Sequence, residues 1–501
     1  MRLPRLSVQR LLMLVLVGTL FVMASGPLID TDLWWHLANG RYILANGVPA
    51  TDVYSYTAVG HLWVVHEWLS DVLFYLLYQP AGLRGLTLMA GAVIAATGWL
   101  IYRLLRRGGL GNNSAVVLAL LLALATSPSW GARPQILNFL FTAILVETLL
   151  RYRERPGRWI FLLVPFFLLW ANLHSGYLVG VGLLAVYLVG ETLQARWRAA
   201  ALSRAENLPV LTRPDLVRVA LTGVLGLCTG FLTPGTYRTV LFPLGTLSSS
   251  RIQTLIVEWS SPDFHVTAGG LPNVAGISLM VVLLVLVAGA IGAVRFRRGA
   301  DPTVVLWALV SLVMALTSQR HVPIFAVAGA PLVGVAASTL LAGLGARARP
   351  ERNPTQAMVV ANTLIAAVLL VGAGLFVAGR SSDAALDKAV AAAEPVAATD
   401  YLLANHLPGR VFNSYEYGGW LIWKAYPAYP VFIDGRTEVY GDEVFDQYIR
   451  TKFLSDQWRQ SLNDYQVRTV MIPSGDPLRL VLEGDGWKLA YSDTGTRVYT
   501  R

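Results

Sequence analysis

The stretch Asp30-Thr31-Asp32-Leu33-Trp34-Trp35-His36-Leu37 sets two carboxylates, two indoles and an imidazole immediately after the first long apolar run of the chain. Paired acids at a membrane surface can bind a divalent cation such as Mg or Mn through oxygen ligands, or one of them can take a proton from an attacking hydroxyl. The same residue types have structural uses. Asp32 is placed to cap the helix-like run 33–45, which ends at Gly47 and Pro49, and Trp34 and Trp35 are suited to anchoring at a membrane interface.

Cations that could answer these acids recur further along. Arg133-Pro134 follows Trp130 at one helix end, and Arg320-His321 ends another before Pro323. A snorkelling arginine is the bland reading of each. The chemical reading is a phosphate clamp, because a guanidinium grips two phosphate oxygens and an imidazole adds a third donor. Asn172-Leu173-His174-Ser175-Gly176 forms a tight turn that explains every residue but His174. Glu258-Trp259-Ser260-Ser261-Pro262-Asp263 lies in a long loop, and loops of that length are often functional lids.

The elements that must position these groups follow from hydropathy. The 501 residues are 55% hydrophobic and 14% charged, with a mean hydropathy of +0.53, which describes a polytopic membrane protein. The net charge of +10 sits in short basic clusters between apolar segments, so it sets orientation in a bilayer, and nucleic acid is not an expected partner. The single cysteine, Cys228, excludes an intramolecular disulfide framework and a cysteine-based metal site.

Arg2, Arg5 and Arg10 precede the apolar run 11–24, which fits either a signal peptide cleaved near Ala24, Ser25 and Gly26 or an uncleaved signal anchor, the favoured reading. Further runs fall at about 81–104, 114–130, 134–150, 159–173, 175–193, 218–232, 273–294, 302–318, 323–344 and 357–378, giving about eleven transmembrane helices. Alternate loops carry Arg106 and Arg107; Arg151, Arg153, Arg155 and Arg158; Arg196 to Arg218; Arg295, Arg297 and Arg298; and Arg347, Arg349 and Arg352. The positive-inside rule makes these loops and the N-terminus cytoplasmic. The apolar stretch 67–79 would break this parity if it spanned; it reads as a short helix on the outer face, with a twelfth span as the alternative.

The outer face then collects the segments 29–80, 128–133, 172–174, 233–272 and 319–322 and the tail from about 379. It holds Asp30, Asp32, His36, His66, Glu67, Arg133, His174, Glu258, Arg320 and His321, a mixture of carboxylate, imidazole and arginine suited to a buried polar cavity. Residues 1–380 form the membrane domain. Residues 381–501 have the composition of a small soluble α/β domain, with strand-like segments Arg410 to Phe412, Val431 to Ile433, Thr469 to Ile472, Trp487 to Tyr491 and Arg497 to Tyr499. Helix-like segments run from Gly419 to Trp423 and from Asp442 to Leu454.

A first helix followed by an acidic, aromatic outer loop, further spans and an outer α/β tail resembles the GT-C class of membrane glycosyltransferases, which use polyprenyl-phosphate or polyprenyl-diphosphate sugars. In that class an aspartate of the first outer loop serves as base or metal ligand, and Asp30 and Asp32 occupy that place. Ser414-Tyr415-Glu416-Tyr417-Gly418-Gly419-Trp420, followed by Val431-Phe432-Ile433-Asp434-Gly435-Arg436-Thr437, is similar to the oligosaccharyltransferase pattern WWDYG and its following strand ending in Asp. Ser414, Tyr415 and Glu416 replace the two tryptophans and the aspartate, so recognition of a peptide Ser or Thr by those indoles does not carry over. The resemblance implies substrate binding by Tyr415, Glu416, Tyr417, Asp434 and Arg436. Taken without it, Gly418-Gly419 is a strand-to-helix turn and Asp434-Gly435 a tight turn.

The expectation is an integral protein of the bacterial cell membrane whose C-terminal domain is extracytoplasmic, and which moves a sugar from a lipid-linked donor to an acceptor of unknown kind with inversion. Arg133, Arg320 and His321 would hold the phosphate, His36, His66, Glu67 and His174 would line the substrate cavity, and Asp30, Asp32 or Glu258 would deprotonate the acceptor. Two other readings compete. A transporter or flippase would place ionisable groups near the bilayer midplane, whereas Glu147 and Glu191 lie near helix ends. A non-catalytic glycan-assembly subunit would share every feature except a working base.

Overall fold

The computed structural model describes residues 6–27, 29–199, 209–248, 256–295, 301–346 and 354–501. Arg2, Arg5, Arg297, Arg298, Arg347, Arg349 and Arg352 of the basic clusters lie outside the described residues. Every apolar run named above folds as helix, but not every one is long enough to cross. Six helices qualify by length and composition: Trp68–Arg107, Gln135–Glu154, Tyr177–Arg198, Arg213–Leu232, Val274–Val294 and Gln356–Arg380. A seventh is counted if Gln319–Ala328 and Ala330–Gly343, bent by 63° to one another, form one span.

The expected eleven spans are therefore corrected to six or seven among the described residues. The other four apolar helices, Val8–Ala24, Asn112–Ala125, Arg158–Leu173 and Pro302–Thr317, are of 14–17 residues. At a rise of ~1.5 Å per residue they measure roughly 21–26 Å against a hydrocarbon core of about 30 Å. Gly82, at φ 56° and ψ −157°, interrupts Trp68–Arg107, so the stretch 67–79 is a helix distinct from the one beyond it.

Helix Leu33–Asn46 belongs to two cores at once. Trp34 and Leu37 face the core built by the long helices, with Phe74, Trp130 and Trp170. Trp35 and Ala38, one step round the helix, face a second core that unites the loop between helices Leu33–Asn46 and Trp68–Arg107 (Tyr54, Ala58, Trp63) with C-terminal residues such as Phe412, Phe432 and Tyr440. Both indoles are buried, so neither is an interfacial anchor. Each buried aromatic covers roughly 150–250 Å², worth up to about 4–6 kcal/mol at ~25 cal/mol per Å². A Cβ on Gly40 would stand 2.1 Å from the Asp71 carbonyl oxygen; its absence lets this helix press against Trp68–Arg107.

The C-terminal sheet runs Val411–Asn413, Thr469–Pro473, Thr496–Thr500, Lys488–Ser492 in space. The first pair is parallel and the rest antiparallel, with Phe412 opposite Val470 and Val470 opposite Tyr499. The expected strand Val431 to Ile433 does not join it. Val431 instead makes an isolated parallel bridge with Ser55, and the Asn413 side chain donates to Ile433 O and accepts from Phe432 N, which uses the polar groups a strand would offer a neighbour.

Candidate functional site

Asp32 precedes helix Leu33–Asn46 with αR backbone angles and makes no side-chain capping bond, so the cap expected of it is absent. Its carboxylate turns instead to Arg133, whose Nη2 lies 2.7 Å from Asp32 Oδ2. Asp30 Oδ1 accepts from the Asp32 backbone N–H at 3.0 Å, which fixes the two acids relative to each other. Asp30 Oδ2 then lies 3.4 Å from Arg133 Nη1, the same nitrogen that donates to Glu258 Oε1 at 2.7 Å. One guanidinium is thus ringed by three carboxylates drawn from two distant parts of the sequence.

Glu258 sits on the 3₁₀ turn Val257–Trp259, which docks on the turn Gln319–His321. Ser318 Oγ donates to Glu258 O at 3.1 Å and Gln319 N to Ser260 O at 2.8 Å, while the Arg320 guanidinium lies 5.4 Å from the Trp259 ring centre. Arg320 Nη1 reaches Glu258 Oε2 at 3.3 Å. The Glu258 carboxylate therefore bridges two guanidinium groups, the geometry a phosphate would adopt there.

These contacts set the acids apart. Burial pushes the Asp30 carboxyl above its ordinary range, and the neighbouring Asp32 charge adds to this while Arg133 opposes it. Burial also acts to raise Glu258, but Arg133 and Arg320 outweigh it and hold Glu258 below the usual carboxylate range. Asp30 is thereby the stronger base of the two.

A second wall is built around Glu67, at the start of helix Trp68–Arg107. His174 Nε2 lies 3.0 Å from Glu67 Oε1, and His66 Nε2 and His36 Nε2 lie 3.7 and 3.8 Å from Oε2. His174 Nδ1 accepts from Gly176 N at 2.8 Å and lies 2.9 Å from Asn138 Nδ2, which leaves Nε2 to carry the proton towards Glu67. His36 Nδ1 is 2.6 Å from Asp71 Oδ1, and Asn39 donates to the other oxygen of Asp71 at 2.7 Å. Burial works to raise Glu67, yet His66, His174 and His36 together hold it well below its ordinary value.

The C-terminal domain supplies the third wall with Tyr415, Gly435, Thr437 and Glu438. A cavity of about 810 Å³ opens between the three walls, and it is lined by Asp30, Asp32, His36, His66, Glu67, Arg133, His174, Glu258, Arg320, His321, Tyr415 and Arg436. Three expected binding residues do not line it. Asp434 is spent on Arg436, Glu416 accepts from Ser414 and meets Lys452 at 3.5 Å, and the Tyr417 hydroxyl lies 3.1 Å from Thr496 Oγ1. Arg436, although at the cavity edge, has a fully buried side chain that contacts Asp434 at 2.6 Å and Asp52 at 2.7 Å.

Sequence reasoning missed Glu438, Asn39 and Asp71. The first stands two residues after Arg436. Glu67 and Asp71 share an i,i+4 helix face, as His36 and Asn39 share an i,i+3 face, but nothing local says that the two faces meet. For a metal, the donor set would be Asp30, Asp32 and Glu258, and all three already converge on Arg133; among the described residues no group of three or more His, Cys, Asp or Glu side chains is arranged to hold an ion.

No protein-family profile matches the chain, and no curated protein matches it. Among solved structures it is similar to the archaeal oligosaccharyltransferase AglB from Archaeoglobus fulgidus in complex with an inhibitory peptide and a dolichol-phosphate, at 13% identity and a TM-score of 0.56, over 97% of this chain and 74% of that one. The apo form of the Archaeoglobus fulgidus oligosaccharyltransferase aligns at 13% identity and a TM-score of 0.53 over the same shares. The form tethered to an acceptor peptide containing the NVT sequon aligns at 13% and 0.52, over 97% and 73%. At this identity the likeness is one of fold. Over 97% of its length the chain shares the fold of these oligosaccharyltransferase structures.

Proposed function

We propose that this chain is an integral membrane glycosyltransferase that moves a sugar from a polyprenyl-phosphate-linked donor to an acceptor on the extracytoplasmic face, with the N-terminus cytoplasmic and residues 381–501 outside. The observation that carries this reading is the bridge from Arg133 through Glu258 to Arg320, an anion seat between two guanidinium groups in the same cavity as the acids Asp30 and Asp32. The solved structure of the same fold that contains a dolichol-phosphate supports a donor of this lipid class.

In this mechanism the donor phosphate displaces the Glu258 carboxylate and takes both guanidinium groups. Asp30, the acid whose environment favours the proton, removes it from the acceptor hydroxyl as the oxygen attacks the anomeric carbon. The bond to the phosphate oxygen breaks, and the lipid phosphate leaves with its new negative charge facing Arg133 and Arg320. Attack opposite the leaving group inverts the anomeric centre. Asp32 holds Arg133 in place, and Tyr415 and Glu438 close the acceptor side.

Mass spectrometry of lipids that co-purify with the full chain tests the reading. A polyprenyl-phosphate sugar or its polyprenyl phosphate is expected. A preparation that carries no polyprenyl species and binds none when supplied with polyprenyl phosphate would overturn it.

A further inference from the structure

We infer that Arg133 is the resident cation of this cavity: its guanidinium fills the place that a divalent metal would take among Asp30, Asp32 and Glu258, so the charge of the transfer site is supplied by the chain itself. The inference rests on the reading of the cavity as a transfer site and adds how that site is charged.

The geometry is specific. The three carboxylates that would supply oxygen ligands come from two loops, and each points at Arg133, with Asp32 and Glu258 at 2.7 Å and Asp30 at 3.4 Å. A divalent ion would need those oxygens at roughly 2.0–2.6 Å from its own centre. Placing it there brings two positive centres together where the guanidinium now lies, and moving the guanidinium away strips a buried cation of every carboxylate it faces. The carboxylate of the second wall, Glu67, is itself committed to His174, His66 and His36.

The packing around the acids supports the same assignment. A Cβ on Gly131, two residues before Arg133, would stand 2.8 Å from Asp30 Oδ2, and a Cβ on Gly435 would stand 1.8 Å from Asp32 Oδ1. Both aspartates are thus clasped by glycine backbone in the orientation that meets the arginine, from the membrane side and from the C-terminal domain. A guanidinium also does what a metal would not: its separate nitrogens hold Asp32 on Nη2 and Glu258 on Nη1, so it can keep the base pair in place while it trades Glu258 for a phosphate.

The test is Mn²⁺ binding to the purified full-length protein, read by electron paramagnetic resonance of the free ion, with no donor lipid and no turnover required. Wild type is expected to bind no Mn²⁺ that Asp32→Asn removes. Arg133→Gln frees the three carboxylates and is expected to gain at least tenfold in Mn²⁺ affinity, a gain abolished in Arg133→Gln/Asp32→Asn; Arg133→Lys, which keeps the charge, gains none. A wild-type Mn²⁺ site lost in Asp32→Asn overturns the inference, as does a folded Arg133→Gln protein that gains no affinity. If Arg133→Gln does not fold, the wild-type and Asp32→Asn pair decides alone. Because no arm involves lipid, a wild-type metal site would leave the transferase reading standing, and absence of polyprenyl lipid would leave the Arg133 result standing.

Discussion

Trp34 Nε1 donates to Glu394 Oε1 across 2.9 Å, so a side chain from the stretch before the C-terminal sheet is bonded to the helix that begins directly after Asp32. Trp420 packs edge-on against the same indole with ring centres 4.7 Å apart. The helix that follows the acids is held from the C-terminal domain as well as from the membrane helices.

Burial pushes the Glu394 carboxyl up from 4.5 to about 8, with the charges of Asp30 and Asp32 adding to this and the Trp34 bond opposing it. The folded chain keeps a proton that the unfolded chain gives up, so stability is full below pH 4.5 and falls as pH rises towards 8. Each tenfold displacement of that equilibrium is worth roughly 1.4 kcal/mol, a few kcal/mol in all. Glu394→Gln keeps an acceptor for Trp34 and is expected to flatten the fall in Tm between pH 5 and 8. Parallel Tm–pH curves for the two proteins would refute the assignment.

Asp30→Asn keeps the shape of the side chain and removes its basicity. Loss of kcat by about 10²–10⁴ is expected, with polyprenyl-phosphate binding retained. In the wild type, activity falls on acidification through a limb lying above the ordinary value of 3.8, because the folded carboxyl takes its proton earlier. A pH–rate profile of the donor-saturated enzyme with no such limb would remove Asp30 from the role.

Glu258→Gln leaves Arg133 and Arg320 in place but withdraws the anion that bridges them. Polyprenyl phosphate is expected to bind about tenfold tighter, near 1.4 kcal/mol, measured by displacement of a fluorescent lipid phosphate. Weaker binding would mean that Glu258 assists the ligand rather than holding its seat.

Gly435→Ala adds a Cβ 1.8 Å from Asp32 Oδ1. Overpacking of this kind costs about 1–3 kcal/mol, and kcat is expected to drop at least tenfold as Asp32 loosens its hold on Arg133. Gly409→Ala, whose Cβ meets nothing within 4 Å, is the matched control and is expected to be silent in both Tm and kcat.

Arg436→Leu leaves Asp52 and Asp434 buried without their cation and is expected to cost about 3–5 kcal/mol, read as a lowered Tm. An unchanged Tm with impaired acceptor use would restore the binding role that the sequence pattern assigns to Arg436.

The sequence by itself determines that the chain is built of apolar helices with a small α/β tail, because hydropathy and residue periodicity are local properties. It also determines which residue types are gathered near the helix ends, and so points to Asp30, Asp32, Arg133, Glu258 and Arg320 as candidates for one cavity. It overstates the number of spans, because a run of apolar residues does not say where its helix ends: Asn112–Ala125 is a 14-residue helix. Pairing was decided only by the tertiary structure. Asp32 has the type and position of a cap, yet a charged bond to a residue 101 positions on outcompetes a cap that no backbone N–H receives. Asp434 and Arg436 look like site residues in the string but are consumed by each other and Asp52, since a buried ion demands its partners before it can serve a ligand. The stretch from Asp30 to Leu37 becomes one wall of a site only because its two tryptophans are drawn into different cores, which fixes the carboxylates between them.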